Sequence, residues 1–285
     1  MRSSIRDYST ISPSATGLLL AKGLTHIPYA REAAELIWGK LGYEQMAQKA
    51  ATPIFLKRLV HFENRYWTVD QLLMESGIKN IFEIGAGYSF RGLAMTEDPS
   101  VFYIDSDLPE IIYSKRRIVD EIKATRDLSR DNLVVAAINA LDANAMLQQL
   151  ALLPEGPVVI LNEGLLVYLN ELEKRKLCVI VHNALMERGG YWITGDIYIK
   201  KKGGAPEPDD ATAQFLAAHK VEEKKFDSFE AAEVFFNECG FSIAKRLSAA
   251  PEKLSSLHLL HTHAYPTQEE GAPQKIRETW MLKCK

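Results

Sequence analysis

Cysteine is scarce in this chain, with three in 285 residues. Cys178, Cys239 and Cys284 are odd in number and far apart, which excludes a disulfide framework and the paired spacing of metal or redox sites, and suits a reducing compartment. No apolar run is long enough to cross a bilayer. Leu18-Leu-Leu-Ala21 gives way to Lys22 and a polar turn, not to a small-residue cleavage site, so a cytoplasmic protein without a membrane partner is expected. Basic excess is also missing: the net charge is −3. Ser114-Lys-Arg-Arg117 falls on an amphipathic helical pattern and reads as a solvated face, so nucleic acid is not an expected partner. Neither internal repeats nor low-complexity stretches occur. With 47% hydrophobic and 25% charged residues, the chain can fill one large globular domain.

Residues 12–76 carry a helical pattern, broken at Thr25-His-Ile-Pro28, and predict an N-terminal helical layer over 1–76. Strands and helices then alternate. Strands are predicted at Asn80–Gly85, Val101–Asp105, Leu133–Ile138, Val158–Asn162 and Tyr191–Ile199, with a short helix after the first and longer ones at Leu108–Lys123, Asn144–Leu152 and Asn170–Arg188. Such alternation requires right-handed crossovers and a mostly parallel sheet. Asn170 and Glu173 have the spacing of a capping box, and Gly189-Gly190 ends that helix. Lys200–Asp227 opens with Lys-Lys-Lys-Gly-Gly, breaks the rhythm and predicts a lid over 200–227. Helix Ser228–Cys239 and strands Phe241–Leu247 and Glu278–Cys284 complete the chain. The expected fold is a doubly wound α/β sheet of seven strands, with a cofactor-binding core over 77–199 and a C-terminal helix and antiparallel hairpin over 228–285.

Two strand ends carry the functional signal. Ile81-Phe-Glu-Ile-Gly-Ala-Gly-Tyr-Ser89 ends the first strand in a turn, where Gly85 and Gly87 permit tight folding and close approach of backbone N–H groups to a ligand. Val101-Phe-Tyr-Ile-Asp-Ser-Asp-Leu-Pro109 ends the second in Asp105 and Asp107, carboxylates suited to ribose hydroxyls. A dinucleotide fingerprint needs a third glycine, but Phe90 stands there and Gly92 comes two residues late. Glu83 would repel a pyrophosphate and suit a cationic methionine moiety. S-adenosylmethionine therefore fits better than NAD, and an NAD-dependent oxidoreductase is disfavoured. Asp107 has a second reading as the N-cap of its helix, with Pro109 in the first turn and Glu110 closing a capping box.

The turn after the fourth strand is the most specific string, Asn162-Glu-Gly-Leu-Leu-Val-Tyr-Leu169. It resembles the leucine carboxyl methyltransferase family, including bacterial members related to polyketide O-methyltransferases. Ser12-Pro-Ser-Ala-Thr16, Ile27-Pro-Tyr-Ala30, Arg65-Tyr-Trp-Thr-Val-Asp70, Gly85-Ala-Gly-Tyr-Ser-Phe-Arg91, Asp107-Leu-Pro109 and Thr279-Trp-Met-Leu282 match the family's motifs in order. The resemblance implies a class I methyltransferase that uses S-adenosylmethionine. It implies that Arg65 holds the cofactor's carboxylate, that Gly85, Ala86, Gly87 and Tyr88 face the methionine part, and that Asp107 binds ribose. Asn139 and Ala140 would border the adenine and Glu163 would face the methionine end. A guanidinium fork matches a carboxylate bidentately, and Glu163 suits the ammonium. Family members usually have Asp where Asn139 stands and Asp-Thr where Ser89-Phe90 stand.

Among the remaining residues, Arg91 reads either as a carboxylate partner for substrate or as cover for the sheet edge, and Tyr168 either as a group positioning the accepting oxygen or as a packed ring. His258, His261 and His263 lack a carboxylate or cysteine at a helpful spacing, so no metal is expected. Cys178 reads as a small core residue, and Phe229, Phe235 and Phe236 as helix packing. The expected activity is O-methylation of a carboxylate on a polyketide-like small molecule or a peptide C-terminus. No histidine falls in the strand-end turns, and a carboxylate acceptor needs no base. The alternative from another class is a non-catalytic protein that only binds the cofactor.

Overall fold

The computed structural model describes residues 13–50, 52–201, 211–262 and 275–285. Ser12, His263 and residues 202–210 of the expected lid lie outside them. Four helices come first: α1 (Pro13–Lys22), α2 (Ala30–Trp38), α3 (Lys40–Ala50) and α4 (Pro53–Ser76). The fourth has clear ends. Thr52 accepts the Phe55 N–H at 3.3 Å, Pro53 sits in the first turn, and Gly77 closes the helix at φ 66°, a left-handed conformation in which its N–H reaches the Met74 carbonyl.

Alternation then follows the expected rhythm: β1 (Asn80–Ile84), α5 (Arg91–Met95), β2 (Phe102–Asp107), α6 (Pro109–Arg126), β3 (Leu133–Ala137), α7 (Ala143–Leu150), β4 (Val158–Asn162), α8 (Glu171–Arg188) and β5 (Gly190–Tyr198). After β5 come α9 (Ala211–Ala218), α10 (Phe229–Glu238), β6 (Phe241–Leu247), α11 (Leu257–Thr262) and β7 (Arg277–Cys284). The seven strands are ordered β3-β2-β1-β4-β5-β7-β6. Strands β1 to β5 pair in parallel, and β7 lies antiparallel between β5 and β6. This is the doubly wound sheet with its C-terminal hairpin.

Both faces of the sheet are covered, which is why β1 and β4 are buried along their whole length. Phe82, Ile160, Trp192 and Trp280 pack with α8 and α10 on one face. Ile81, Val159, Ile193 and Met281 pack with Val69, Leu72 and Leu73 of α4 on the other. The chain reverses its winding between β1 and β4. Carboxyl ends of neighbouring strands diverge at such a switch point and leave a crevice there.

Several expectations change. The Asn170–Glu173 capping box forms, but the one expected at Asp107 does not. Leu108 occupies the N-cap of α6, so Asp107 lies one residue too early to cap it. Lys115, read as part of a solvated face, is fully buried and bridges Asp105 at 2.6 Å. Helices α9 and α11 depart from the sequence pattern, as do the 3-10 turns Leu166–Tyr168, Glu222–Lys224 and Pro251–Lys253. Cys178 is a buried core residue, and Phe235 and Phe236 are packed in the same core. Among the described residues, no helix is long and apolar enough to cross a membrane.

Candidate active site

The turn after β1 is shaped by its glycines. Gly85 and Gly87 have φ values of 65° and 53°, conformations that L side chains rarely adopt. The turn is pinned to β2 by two bonds: Ala86 N–H to the Ser106 carbonyl at 2.9 Å, and Gly87 N–H to Asp107 Oδ2 at 2.6 Å. Asp107 Oδ1 accepts the Leu108 N–H at 2.6 Å. Two of the roughly four lone-pair sites of this half-buried carboxylate remain open, enough for a pair of hydroxyls. Burial raises the Asp107 pKa against the pull of these amides. Across the turn, Ala15 of α1 lies where a Cβ on Gly87 would come within 3.4 Å of it, and Leu165 lies beside Gly85. Thus α1 and the turn after β4 flank the glycines.

At the end of β4, Glu163 collects three cations. Its Oε1 accepts from Lys22 Nζ at 2.9 Å and from Arg65 Nε at 3.3 Å, and its Oε2 from Arg91 Nη2 at 2.7 Å. Burial pushes the Glu163 pKa up, but Lys22, Arg65 and Arg91 outweigh it and hold the carboxyl well below the ordinary range. Lys22 is lowered by burial despite Glu163. The loop that carries Glu163 is set by Asp196 of β5, which accepts the N–H groups of Gly164, Leu165 and Leu166 and the Asn162 amide at 2.7 to 3.1 Å.

Arg65, Glu163, the glycine turn and Asp107 therefore gather around the switch point, as the sequence suggests. Asn139 and Ala140 follow β3 and are half-buried; Asn139 Oδ1 accepts the Leu141 N–H at 2.9 Å. Tyr88 reaches Ser114 Oγ at 2.5 Å. Tyr168 packs edge-on against Phe215 and His219 of the segment after β5.

Three residues expected to touch ligand lie beneath the crevice instead. Glu83 is fully buried, with Oε1 on Arg91 Nη1 at 2.6 Å and Oε2 on the Tyr103 hydroxyl at 2.6 Å. Arg91 is fully buried as well. Its Nε adds Asp70 at 3.1 Å, so it bridges three carboxylates and stacks over Tyr66, 4.2 Å from the ring centre. Neither substrate contact nor sheet-edge cover describes it. Asp105 is 2% exposed and committed to Lys115; burial raises its pKa to about 7. Glu83 and Asp105 stand opposite each other in the β1–β2 register, so their side chains leave the sheet on one and the same face.

The structure also adds residues. Lys22 reads in sequence only as the end of an apolar run. Tyr198, at the end of β5, accepts from Arg65 Nη1 at 3.3 Å and meets His61 Nε2 of α4 at 2.8 Å. Because a guanidinium can only donate, the Tyr198 hydroxyl proton is available to His61, whose Nε2 then accepts as neutral imidazole. Burial, then Arg277, Arg65, Lys225 and Lys201, push the His61 pKa down to about 3. Gly195 makes this packing possible, since a Cβ there would come within 3.0 Å of Val69 and 3.2 Å of the Arg65 stem. Only the helical spacing of His61, Arg65 and Thr68 could have signalled this face of α4.

Solved structures share this fold. Magnesium protoporphyrin IX methyltransferase from Synechocystis PCC 6803, solved with bound S-adenosylhomocysteine (SAH), is 10% identical over 95% of this chain and 100% of its own, with a TM-score of 0.50. The methyltransferase domain of bacterial Hen1 is 15% identical over 79% of this chain and 99% of its own, also at 0.50. LepI in complex with SAH and a substrate analogue is 10% identical at 0.45; the match covers 72% of this chain and 43% of LepI. No curated protein matches the chain. The family model for leucine carboxyl methyltransferase matches residues 13–181, a stretch running from α1 through the glycine turn and Glu163 into α8. The chain belongs to the leucine carboxyl methyltransferase family, a family of S-adenosylmethionine-dependent methyltransferases.

Proposed function

We propose that this protein transfers a methyl group from S-adenosylmethionine to a carboxylate oxygen of a small molecule or a peptide C-terminus. The observation that carries the reading is the cluster of Lys22, Arg65 and Glu163 beside the glycine turn. Two cations and one carboxylate that pair with one another are the complement of an amino-acid zwitterion. Arg65 and Lys22 would take its carboxylate and Glu163 its ammonium, exchanging internal ion pairs for charge-assisted bonds of the same kind. Asp107 would hold the ribose, Gly85 to Tyr88 the methionine part, and Asn139 with Ala140 the adenine edge. Glu83, Asp105 and Arg91 would serve from below by fixing the strand ends and Glu163.

The bound sulfonium supplies an electrophilic methyl group. The chain must align an oxygen behind the C–S bond and keep water out. Tyr168 and Tyr198, packed together with Val167 and Val221, would wall the acceptor side, with residues 211–227 beside them through Phe215. The acceptor-side field favours an anion, since His61 feels Arg277, Arg65, Lys225 and Lys201 together. His61 is a poor base, because its lone pair meets the Tyr198 hydroxyl. A carboxylate, ionised above about pH 4, needs none.

Two tests follow. With an acceptor in hand, the rate should be nearly flat between about pH 6 and 9, and the product should be an ester that releases methanol in mild base. An ether with a rate rising through one ionisation would point to a hydroxyl acceptor. Calorimetry with SAH should show Arg65→Ala and Asp107→Ala each losing roughly 1.5–3 kcal/mol of binding. Asp107→Ala should also melt earlier without ligand, because Gly87 and Leu108 N–H groups lose their acceptor. Unchanged affinity in both would move the cofactor elsewhere.

A further inference from the structure

Among the described residues between α4 and the sheet, three buried cations touch carboxylates and a fourth does not. Lys22, Arg65 and Arg91 each have a carboxylate within 3.3 Å, drawn from Asp70, Glu83 and Glu163. Asp196 is spent on backbone amides. Arg277, at the start of β7, is 4% exposed, and among the described residues no carboxylate lies within 4.0 Å of it. Its contacts are neutral: Nη1 to Thr279 Oγ1 at 2.7 Å, and three long ones at 3.4 Å to Thr68 Oγ1, from both Nη1 and Nη2, and to the Gly195 carbonyl. Burial lowers its pKa, and Arg65 adds to the effect against the opposite pull of Tyr198, Glu163 and Asp196, none of which is in ion-pair contact with it. A guanidinium taken out of water without an anion is costly, and three bonds at the edge of hydrogen-bonding range do little to offset it.

Its position suggests what is missing. Arg277 stands directly opposite Tyr198 in the β5–β7 register, and His61, half-buried, meets the Tyr198 hydroxyl at 2.8 Å. We propose that Arg277 binds a carboxylate of the methyl acceptor, which makes it a specificity-determining residue on the acceptor side of Tyr198. The inference rests on the methyltransferase reading above. A strut tying β7 to α4 would need no charge, since a glutamine could reach the same threonines. A planar fork beside a tyrosine hydroxyl, with no carboxylate of the described residues in contact, suits a carboxylate.

The SAH-loaded protein, titrated calorimetrically with benzoate and octanoate and with the matching amides, tests this. At least one acid should bind at least tenfold more tightly than its amide. Arg277→Gln should weaken that acid tenfold or more, Arg277→Lys should recover part of the loss, and SAH affinity should stay within twofold in both. Iodide soaked into crystals of the same complex should give an anomalous peak against the guanidinium. The proposal falls if Arg277→Gln binds the acid as wild type does. It falls too if Arg277→Gln loses SAH affinity and melting temperature in step, the mark of a strut, or if wild type takes neither acid nor iodide at this place. Wild type that fails to bind SAH would instead sink the methyltransferase reading.

Discussion

Replacing Arg91 by methionine is expected to cost about 3–5 kcal/mol of folding stability, the range seen when one partner of a buried ion pair is removed. Methionine fills much of the volume but leaves Asp70, Glu83 and Glu163 facing a layer without their bridging cation. Glu163 keeps Lys22 and Arg65; Glu83 keeps only the Tyr103 hydroxyl. Asp70 loses its partner but has a side chain 12% exposed, so the wholly buried Glu83 is the group that bears the largest desolvation penalty. Urea unfolding of Arg91→Met should show a midpoint far below wild type, with the deficit shrinking as pH falls through the carboxylate range and the stranded acids take up protons. The double variant Arg91→Met/Glu83→Gln should regain part of the loss at pH 7. A deficit under about 1 kcal/mol, the scale of exposed pairs, would show that these charges are not buried together.

Buried charges of this kind are where the molecule stops being legible in one dimension. The central strands are readable because burial on both faces makes them continuous apolar runs, and β4 falls where the pattern places it. Helices α9 and α11 are not. Both are short, and their surroundings are tertiary: Phe215 meets Tyr168, and the segment before α11 is latched to α4 by Glu63, which accepts from the backbone and side chains of Ser255 and Ser256. In the site, Arg65, Asp107 and Glu163 carry motif spacing and can be read. Glu83 and Arg91 are visible as charges near a glycine turn, yet that spacing does not tell a ligand contact from an internal pair. Lys22, Tyr198 and Arg277 enter only through the packing of α1, α4, β5 and β7 at one end of the sheet, which no local pattern encodes.

Acidification should weaken the fold through His61 well before the ordinary carboxylates titrate. In the folded protein His61 protonates only near about pH 3, whereas in the unfolded chain a histidine takes its proton near ~6.5. Between these values the unfolded state binds more protons, so stability rises with pH through this window. The contribution is complete above about pH 6.5 and is lost as pH falls towards 3. Each pH unit that separates the two protonation midpoints corresponds to about 1.4 kcal/mol. Because His61 is only half-buried, solvent screening reduces the expected loss between pH 6.5 and 4 to about 2 kcal/mol. Asp105 acts in the opposite sense: with its folded pKa raised to about 7, the folded state holds the extra proton from about pH 4 to 7, and its contribution falls as pH rises. The difference between wild type and His61→Gln removes that background. Glutamine still offers Tyr198 an acceptor oxygen, so the variant should be flatter than wild type by about 2 kcal/mol across the window. In NMR the His61 ring resonances should hold still from pH 8 to 4, while a histidine that titrates near ~6.5 moves. A His61 that titrates with them, in a protein whose stability curve His61→Gln leaves unchanged, would mean that the imidazole is not held between Tyr198 and the surrounding cations.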